Sequence, residues 1–196
     1  MGLEIMNIWI LPNFLTFLRI FIIPFFLLFC YLPFYFLHDI AIVLFLFSAL
    51  TDWFDGYTAR KMDKISSFGA FLDPVADKLI VTVAFMIIIS KYHEVWIVIP
   101  IIINIIREIL ISALREWMAK IGNSHIVNVT YLGKIKTTIQ MIAIIILLKQ
   151  ISINRLTIFG IILIYLSTFI TLWSLIIYMK SAYPFIQSIK SIKNKS

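Results

Sequence analysis

Four aspartates in the first half of the chain are spaced so that their carboxylates can act together. Asp52 and Asp55 are three residues apart, and Asp73 and Asp77 are four residues apart. Because residues three or four apart share one face of an α-helix, each pair places two carboxylates on the same side of its helix. If the two helices fold back on each other about Lys64, Asp55 comes level with Asp73 and Asp52 nearly level with Asp77. The spacing therefore predicts one cluster of four carboxylates.

Such a cluster requires neutralising charge, because four carboxylates in a low dielectric cannot all stay ionised alone. Two divalent ions would supply it, and all-oxygen ligands favour Mg²⁺, Mn²⁺ or Ca²⁺. Two metals side by side suit an in-line displacement at phosphorus, since they stabilise the attacking and the leaving oxygen. The predicted chemistry is metal-assisted transfer at phosphorus. A divalent-cation pathway and a structural network of ion pairs are the alternatives.

Small residues accompany the carboxylates. Gly56, Ala59 and Gly69 remove bulk beside them, where a broad ligand would approach the backbone. Arg60, near the mouth of the same hairpin, has the side chain that best holds a pyrophosphate. These four residues are therefore candidate ligand-binding residues.

The elements that must position these residues are apolar helices. Of the 196 residues, 62% are hydrophobic and 14% are charged, whereas soluble domains have about 45–50% and about 25%. This composition excludes a disordered chain and a basic nucleic-acid-binding domain. We expect one domain covering residues 1–196, all-α and polytopic, with six transmembrane helices and a short interfacial helix over residues 1–12. The six predicted spans lie near 14–37, 40–60, 66–90, 95–119, 134–149 and 155–180.

The middle spans cross a membrane only if they include ionisable residues. The apolar part of the second span, Ile40 to Leu50, is about eleven residues, too short for a hydrocarbon core of ~30 Å. The second span must therefore include Asp52 and Asp55, and the third, by the same count, Asp73 and Asp77. Charges inside a span are costly and mark functional sites. The outer halves of the spans have no acids, which argues against a cation pathway across the membrane.

The distribution of Lys and Arg predicts the orientation. With both termini on one side, only Lys91, Lys149 and Arg155 of the 17 basic residues fall on the opposite side. By the positive-inside rule, the side with the other basic residues is cytoplasmic. The carboxylate cluster is then expected in the cytoplasmic half of the protein.

The segment from Asp52 to Asp77 matches in full the signature D-x2-D-G-x2-A-R-x8-G-x3-D-x3-D, and the chain resembles the CDP-alcohol phosphatidyltransferases that share it. The resemblance implies a six-helix membrane enzyme, usually a homodimer, that moves a phosphatidyl group from a CDP-lipid to an alcohol and releases CMP. It implies that two Mg²⁺ or Mn²⁺ ions are held by Asp52, Asp55, Asp73 and Asp77. It also makes Asp77 the general base on the acceptor hydroxyl. The residues lining the CDP site would be Gly56, Ala59, Arg60 and Gly69.

Three further segments resemble the bacterial phosphatidylglycerophosphate synthases of that family: Pro12–Arg19, Arg107–Trp117 and Gly133–Gln140. With the signature they cover roughly residues 10–140, and the last span has no recognisable motif. This resemblance implies phospholipid biosynthesis in the bacterial cytoplasmic membrane, with the active site facing the cytoplasm. It adds Asn13 and Thr16 to the expected CDP site. Two interpretations are open for these two residues and for Arg19: a role in the nucleotide site, or helix capping and anchoring.

A basic group in the second half predicts the acceptor. It consists of Arg107, Arg115, Lys134 and Lys136, near the cytoplasmic ends of the fourth and fifth spans. A cationic pocket suits an acceptor that has its own phosphate, such as glycerol 3-phosphate, and inositol would not need it. With CDP-diacylglycerol as donor, the products would be phosphatidylglycerophosphate and CMP. Phosphatidylglycerol, as in cardiolipin synthesis, is the other acceptor considered.

Each basic residue also has a structural alternative. Lys134 and Lys136 would serve equally as positive-inside anchors of the fifth span. Arg107 and Arg115 would serve as ion-pair partners of Glu108 and Glu116. Burial and pairing of these side chains distinguish the two interpretations.

Overall fold

The protein is all-helical over the part of the chain that is described. The computed structural model describes the backbone of residues 2–61, 67–121, 131–149 and 153–193, and the side chains of 17–51, 72, 75–121, 133, 135–149 and 153–184. The six helices are α1 (Gly2–Tyr31), α2 (Tyr35–Lys61), α3 (Ser67–Tyr92), α4 (Val95–Lys120), α5 (Tyr131–Lys149) and α6 (Arg155–Lys193). The all-α prediction is confirmed for these residues.

The first helix differs from the prediction at both ends. A separate interfacial helix over residues 1–12 was expected, but α1 runs without a break from Gly2 to Tyr31. The apolar run continues across Pro12, and no polar or glycine segment separates the two parts. The first span was expected to reach residue 37, but α1 ends before Pro33. Proline lacks an amide hydrogen and disfavours helical geometry in the residue before it, so it separates α1 from α2.

The helices form two compact units, each made of two chain segments. The first unit comprises Met1–Tyr92 and Ile144–Thr157, and the second comprises His93–Ala143 and Ile158–Ser196. In the first unit, α1 packs against both α2 and α3, which also contact each other. Phe26 of α1 and Phe45 of α2 are buried with ring centroids 5.9 Å apart. Tyr31 of α1 donates a hydrogen bond to Ser90 of α3 at 3.0 Å.

The C-terminal end of α5 is held in the first unit by side chains of α2 and α3. The last carbonyls of a helix lack intrahelical partners and need others. The carbonyl of Leu147 accepts from the Tyr92 hydroxyl at 3.0 Å, and that of Leu148 accepts from Lys91 Nζ at 2.6 Å and His38 Nε2 at 2.8 Å. This arrangement caps α5 through tertiary contacts.

In the second unit, α4 and α6 run parallel to each other. The Tyr165 hydroxyl donates to the Trp96 carbonyl at 2.7 Å near the start of both helices. Farther along, Met118 of α4 and Ala182 of α6 belong to one buried apolar cluster. The residue numbers of the contacting positions therefore increase in the same direction along both helices. Parallel α4 and α6 are what the alternating order of predicted spans requires.

Two of the described helices are long and apolar enough to cross a membrane: Val95–Lys120, and Arg155–Pro184 within α6. Each has a mean hydropathy of 2.2, and only 33% and 39% of their apolar windows are buried inside the protein. Large side chains such as Ile109, Phe169 and Trp173 are exposed. Apolar surface of this extent on a chain with few charges indicates a membrane protein. The other four predicted spans stay predictions.

Candidate active site

The helical hairpin of α2 and α3 holds the predicted carboxylate positions. Asp55 is the sixth residue before the end of α2 at Lys61, and Asp73 the sixth after the start of α3 at Ser67. The two positions are therefore at equal distances from the connection, as the sequence predicts. The side chains of Asp52, Asp55 and Asp73 lie outside the described residues, so the four-carboxylate cluster stays a prediction.

Other predicted site residues have a described helical backbone, but their side chains fall outside the described set. In α1 these are Asn13 and Thr16, in α2 and α3 they are Gly56, Ala59, Arg60 and Gly69, and in α5 the residue is Lys134. Their assignments to the CDP site and to the basic group stay predictions.

Asp77 is the described member of the carboxylate set, and a buried arginine holds it. Arg19 Nη1 donates to Asp77 Oδ1 at 2.6 Å, and Arg19 Nε donates to Thr51 Oγ1 at 3.2 Å. The Thr51 hydroxyl in turn donates to the Ser48 carbonyl at 2.8 Å. Arg19 is 1% exposed, whereas the Asp77 side chain is 33% exposed. One guanidinium thus links α1, α2 and α3 and orients the carboxylate.

The burial and pairing of Arg19 exclude one interpretation of this residue, namely an anchor at the membrane surface. A capping or anchoring arginine would be expected at the surface, but Arg19 is buried and ion-paired. A buried guanidinium is costly unless its N–H groups are paired, and Asp77 and Thr51 supply acceptors for two of its nitrogens. Arg19 is therefore a buried partner of Asp77 and not an anchor at the membrane surface.

The basic group is built on α4 and α5 of the second unit. Lys136 is 1% exposed, and its Nζ donates to Glu108 Oε1. Arg107 is 6% exposed, and its Nη1 lies 3.4 Å from the same oxygen. Arg115 is partly buried, with its guanidinium carbon 5.8 Å from the centroid of the Tyr178 ring. Lys136 is therefore not a surface anchor.

This group has more positive than negative charge among the described residues. Arg107 experiences electrostatic repulsion from Arg115, and Lys136 experiences it from Arg107, while Glu108 attracts both Arg107 and Lys136. Of the two ion pairs in the structural alternative, Arg107 with Glu108 is present at 3.4 Å, whereas exposed Glu116 pairs with Lys120 at 2.8 Å and not with Arg115. Two cations, Arg107 and Lys136, thus share the Glu108 carboxylate, and a third, Arg115, lies near Arg107.

Buried polar atoms without partners lie within the same group. Among the described residues, the Nε atoms of Arg107 and Arg115 are buried with no hydrogen-bond acceptor. One turn along α5 from Lys136, the buried Oε1 of Gln140 has no donor. An unmade hydrogen bond at a buried group costs about 1–3 kcal/mol, and an anion is the natural partner of two unpaired guanidinium N–H groups. The arrangement is suited to bind a phosphate group.

The last helix contributes residues that sequence reasoning did not identify. Ser174 of α6 accepts a hydrogen bond from Arg107 Nη2 at 2.5 Å, and Tyr178 lies beneath Arg115. The signal in the sequence was a set of hydroxyl residues three or four apart on an otherwise apolar helix. The members of this set are Ser167, Thr168, Thr171 and Ser174.

The described side chains do not by themselves form a metal centre. Among them, no three His, Cys, Asp or Glu residues lie close enough to hold one ion. Three of the four predicted ligands lie outside that set, so the metal prediction is not tested. The chemistry of the donor set fits Mg²⁺ or Mn²⁺, since all four predicted ligands are carboxylates and the described one, Asp77, is partly exposed.

The chain is similar to known proteins over most of its length. Residues 9–173 match the family described as CDP-alcohol phosphatidyltransferase. The chain is 47% identical over 173 residues to a Wigglesworthia glossinidia brevipalpis protein named CDP-diacylglycerol–glycerol-3-phosphate 3-phosphatidyltransferase, covering 88% of this chain and 94% of the relative. Proteins of the same name from Haemophilus influenzae and Salmonella typhi are 47% and 44% identical over 172 residues. Those two alignments cover 88% of this chain and 92% and 94% of the relatives.

Proposed function

The chain belongs to the CDP-alcohol phosphatidyltransferase family, and we propose that it transfers the phosphatidyl group of CDP-diacylglycerol to glycerol 3-phosphate. The products are phosphatidylglycerophosphate and CMP. The names of relatives that are 43–47% identical support this reaction. The observation that carries the acceptor assignment is the excess of positive charge at buried Arg107 and Lys136 and partly buried Arg115.

Asp77 is the proposed general base. Its carboxylate takes the proton of the glycerol 3-phosphate hydroxyl as that oxygen attacks the lipid-linked phosphorus of CDP-diacylglycerol. A new phosphorus–oxygen bond forms to glycerol, the bond to the CMP oxygen breaks, and CMP leaves with the electron pair. Arg19 supports this role because it holds Asp77 Oδ1 in one orientation at 2.6 Å.

The acidic hairpin is the proposed metal and nucleotide site. Asp52, Asp55, Asp73 and Asp77 would hold two Mg²⁺ or Mn²⁺ ions, which when bound would neutralise the pyrophosphate and stabilise charge on the leaving group. Arg60 would pair with the pyrophosphate. The remaining residues assigned to CDP are Asn13, Thr16, Gly56, Ala59 and Gly69.

The basic group is the proposed site for the acceptor phosphate. The unpaired Nε–H groups of Arg107 and Arg115 donate to its oxygens, and Lys136 and Lys134 add positive charge. Glu108 holds Lys136 and Arg107 in place through one carboxylate oxygen. An uncharged alcohol would leave the positive charge in excess of Glu108 without a second anion, so the site favours a phosphorylated acceptor.

We further propose a bacterial inner membrane location, six spans, a cytoplasmic active site and a homodimer. The asymmetric distribution of Lys and Arg supports the orientation. The parallel direction of α4 and α6 supports alternating spans. Family membership favours the enzyme over a divalent-cation transporter.

Release of CMP tests the proposed reaction. The purified protein in detergent is supplied with CDP-diacylglycerol, Mg²⁺ and one acceptor at a time: glycerol 3-phosphate, phosphatidylglycerol or inositol. We expect CMP release with glycerol 3-phosphate, and loss of release when a chelator removes the metal. Release with phosphatidylglycerol alone would reassign the acceptor to cardiolipin synthesis. Full activity in the presence of the chelator would overturn the metal assignment.

A further inference from the structure

We propose that Ser174 of α6 is a positioning residue for Arg107, orienting its guanidinium toward the acceptor phosphate. This inference rests on the proposed function, and it assigns a role to a helix that has no recognisable motif. Arg107 Nη2 donates to Ser174 Oγ at 2.5 Å, and both residues are buried. Ser174 does not itself bind the substrate in this proposal but acts through Arg107.

The hydroxyl of Ser174 is itself oriented. Ser174 Oγ donates its hydrogen to the carbonyl of Thr171 at 2.9 Å. Its lone pairs are therefore available to accept the hydrogen bond from Arg107 Nη2. A hydroxyl has one donor and two acceptor positions, which matches this use. Because the Thr171 carbonyl belongs to the helix backbone, the acceptor that Arg107 meets has a fixed direction.

The contacts of Arg107 use its two terminal nitrogens and leave Nε–H without an acceptor among the described residues. Nη2 is directed to Ser174 and Nη1 to Glu108, while Nε is buried. A guanidinium is planar and rigid, so holding its two terminal nitrogens determines where Nε–H points. Without the Ser174 contact, the long side chain regains rotamer freedom, and binding a phosphate must order it again.

A buried row of polar residues sets the axial register of α4 and α6. We call it the polar seam, and it consists of Asn104, Arg107, Thr168, Thr171 and Ser174. Asn104 of α4 donates to Thr168 Oγ1 at 2.6 Å and accepts from Thr171 Oγ1 at 3.1 Å. One turn farther along, Arg107 meets Ser174 in the same register. In an apolar environment unpaired polar groups are costly, so these matched pairs hold α6 against α4 at one axial position. The position of Ser174 relative to Arg107 is therefore determined by the seam.

Removal of the hydroxyl is the direct test. For Ser174→Ala we expect the KM for glycerol 3-phosphate to rise about five- to tenfold, which is within the range of one ordinary hydrogen bond, because Ser174 acts on the phosphate only through Arg107. The kcat and the KM for CDP-diacylglycerol should change less than twofold. Ser174→Thr keeps the hydroxyl and should restore the KM. Ser167→Ala is the matched control, because Ser167 is equally buried on α6 but its hydroxyl bonds to the Ile164 carbonyl of its own helix.

A double-mutant cycle separates positioning from general support of the fold. If Ser174 acts through Arg107, Ser174→Ala should have no further effect on the KM for glycerol 3-phosphate in an Arg107→Ala background. Additive effects of the two substitutions would overturn the inference, as would a KM unchanged by Ser174→Ala while Arg107→Ala raises it. If Ser174→Ala does not fold, Ser174→Cys gives the same test, since sulfur is a weak acceptor. A KM unchanged by Arg107→Ala would instead contradict the proposed acceptor site.

Discussion

Two buried arginines, Arg19 in the first unit and Arg107 in the second, are used in different ways. Arg19 donates to a carboxylate at 2.6 Å and to the Thr51 hydroxyl, so its charge is matched by the group that it orients. Arg107 donates to a neutral hydroxyl at 2.5 Å and shares Glu108 with Lys136. Arg19 is thus paired with a carboxylate of its own, Asp77. Arg107 shares the single charge of Glu108 with Lys136, so positive charge is in excess there among the described residues.

The difference indicates what each region binds. A buried charge pair is stable when both partners and their hydrogen bonds are present, and it holds geometry without attracting a further ion. An excess of buried cations is costly without a ligand, and the binding of an anion relieves that cost. The Arg19–Asp77 pair is therefore suited to orient a base, and the Arg107 group is suited to bind substrate.

The strongest expected effect is on Asp77. Asp77→Asn keeps the size of the side chain but removes the base, so we expect turnover to fall about 10²–10⁴-fold. Binding of the CDP-lipid should survive, as measured by retention of a labelled CDP-lipid on the purified variant. Asp39→Asn, at an exposed position near the start of α2, is the matched control. Full CMP release by purified Asp77→Asn would exclude Asp77 as the base.

Substitution of Arg19 tests the Arg19–Asp77 ion pair. Arg19→Ala leaves Asp77 and Thr51 without their described partner, and we expect kcat to fall about 10²-fold, since 1 Å misplacements cost that much. Breaking a buried pair costs about 3–5 kcal/mol, and the partial exposure of Asp77 places the expected loss near 3 kcal/mol. The measurements are CMP release and the thermal unfolding midpoint in detergent.

The control for Arg19 is Arg155→Ala, because Arg155 is an exposed arginine at the start of α6. Its substitution should change neither kcat nor the unfolding midpoint. If Arg19→Ala retained the kcat of the unsubstituted protein, Arg19 would have no part in orienting the base.

Substitution of Arg115 tests the basic group, in which positive charge exceeds negative charge among the described residues. We expect Arg115→Ala to raise the KM for glycerol 3-phosphate about tenfold or more, because a charge-assisted contact to the phosphate is lost. The kcat and the KM for CDP-diacylglycerol should change little, in contrast to Asp77→Asn. Lys120→Ala is the control, since Lys120 lies on the same helix but is exposed and pairs with Glu116. Equal effects of the two substitutions on KM would remove Arg115 from the acceptor site.

The smallest effect is expected at the capped end of α5, which belongs to neither group. Tyr92→Phe removes the hydroxyl that donates to the Leu147 carbonyl and is also hydrogen-bonded to Thr157, so the free energy of unfolding should fall by about 1 kcal/mol. Neither KM should change. The thermal midpoint and steady-state kinetics measure both quantities, and Tyr183→Phe, at an exposed position on α6, is a comparison on the surface. A raised KM in Tyr92→Phe would mean that the α5 cap affects the substrate sites.

Much of the fold was accessible from the sequence because its determinants are local. Apolar runs and the polar connections place α3, α4 and the start of α6 within a few residues of the observed bounds, but the boundary at Pro33 was missed. The separate N-terminal helix over residues 1–12 was predicted wrongly, because α1 continues through Pro12, which an apolar helix tolerates. The family was also accessible, since its signature depends only on spacing along the chain.

Pairings between distant residues were not accessible from spacing. Arg19 and Asp77 are 58 residues apart, and Arg107 and Ser174 are 67 residues apart, so no helical periodicity connects them. The sequence identified both arginines as interesting but left anchoring open for Arg19 and pairing with Glu108 or Glu116 open for Arg107 and Arg115. Burial and partner atoms, which depend on how helices pack, were needed to decide.

Residue types and their order along the chain are sufficient to predict an apolar helical protein, its family and the identity of its acidic and basic residues. Tertiary packing decides which of those charges are neutralised by other protein groups. Asp77 gains a buried guanidinium, whereas Arg107 and Arg115 keep unpaired N–H groups. The physical reason is that the energy of a buried charge depends on its neighbours in space, and those neighbours come from helices far apart in sequence.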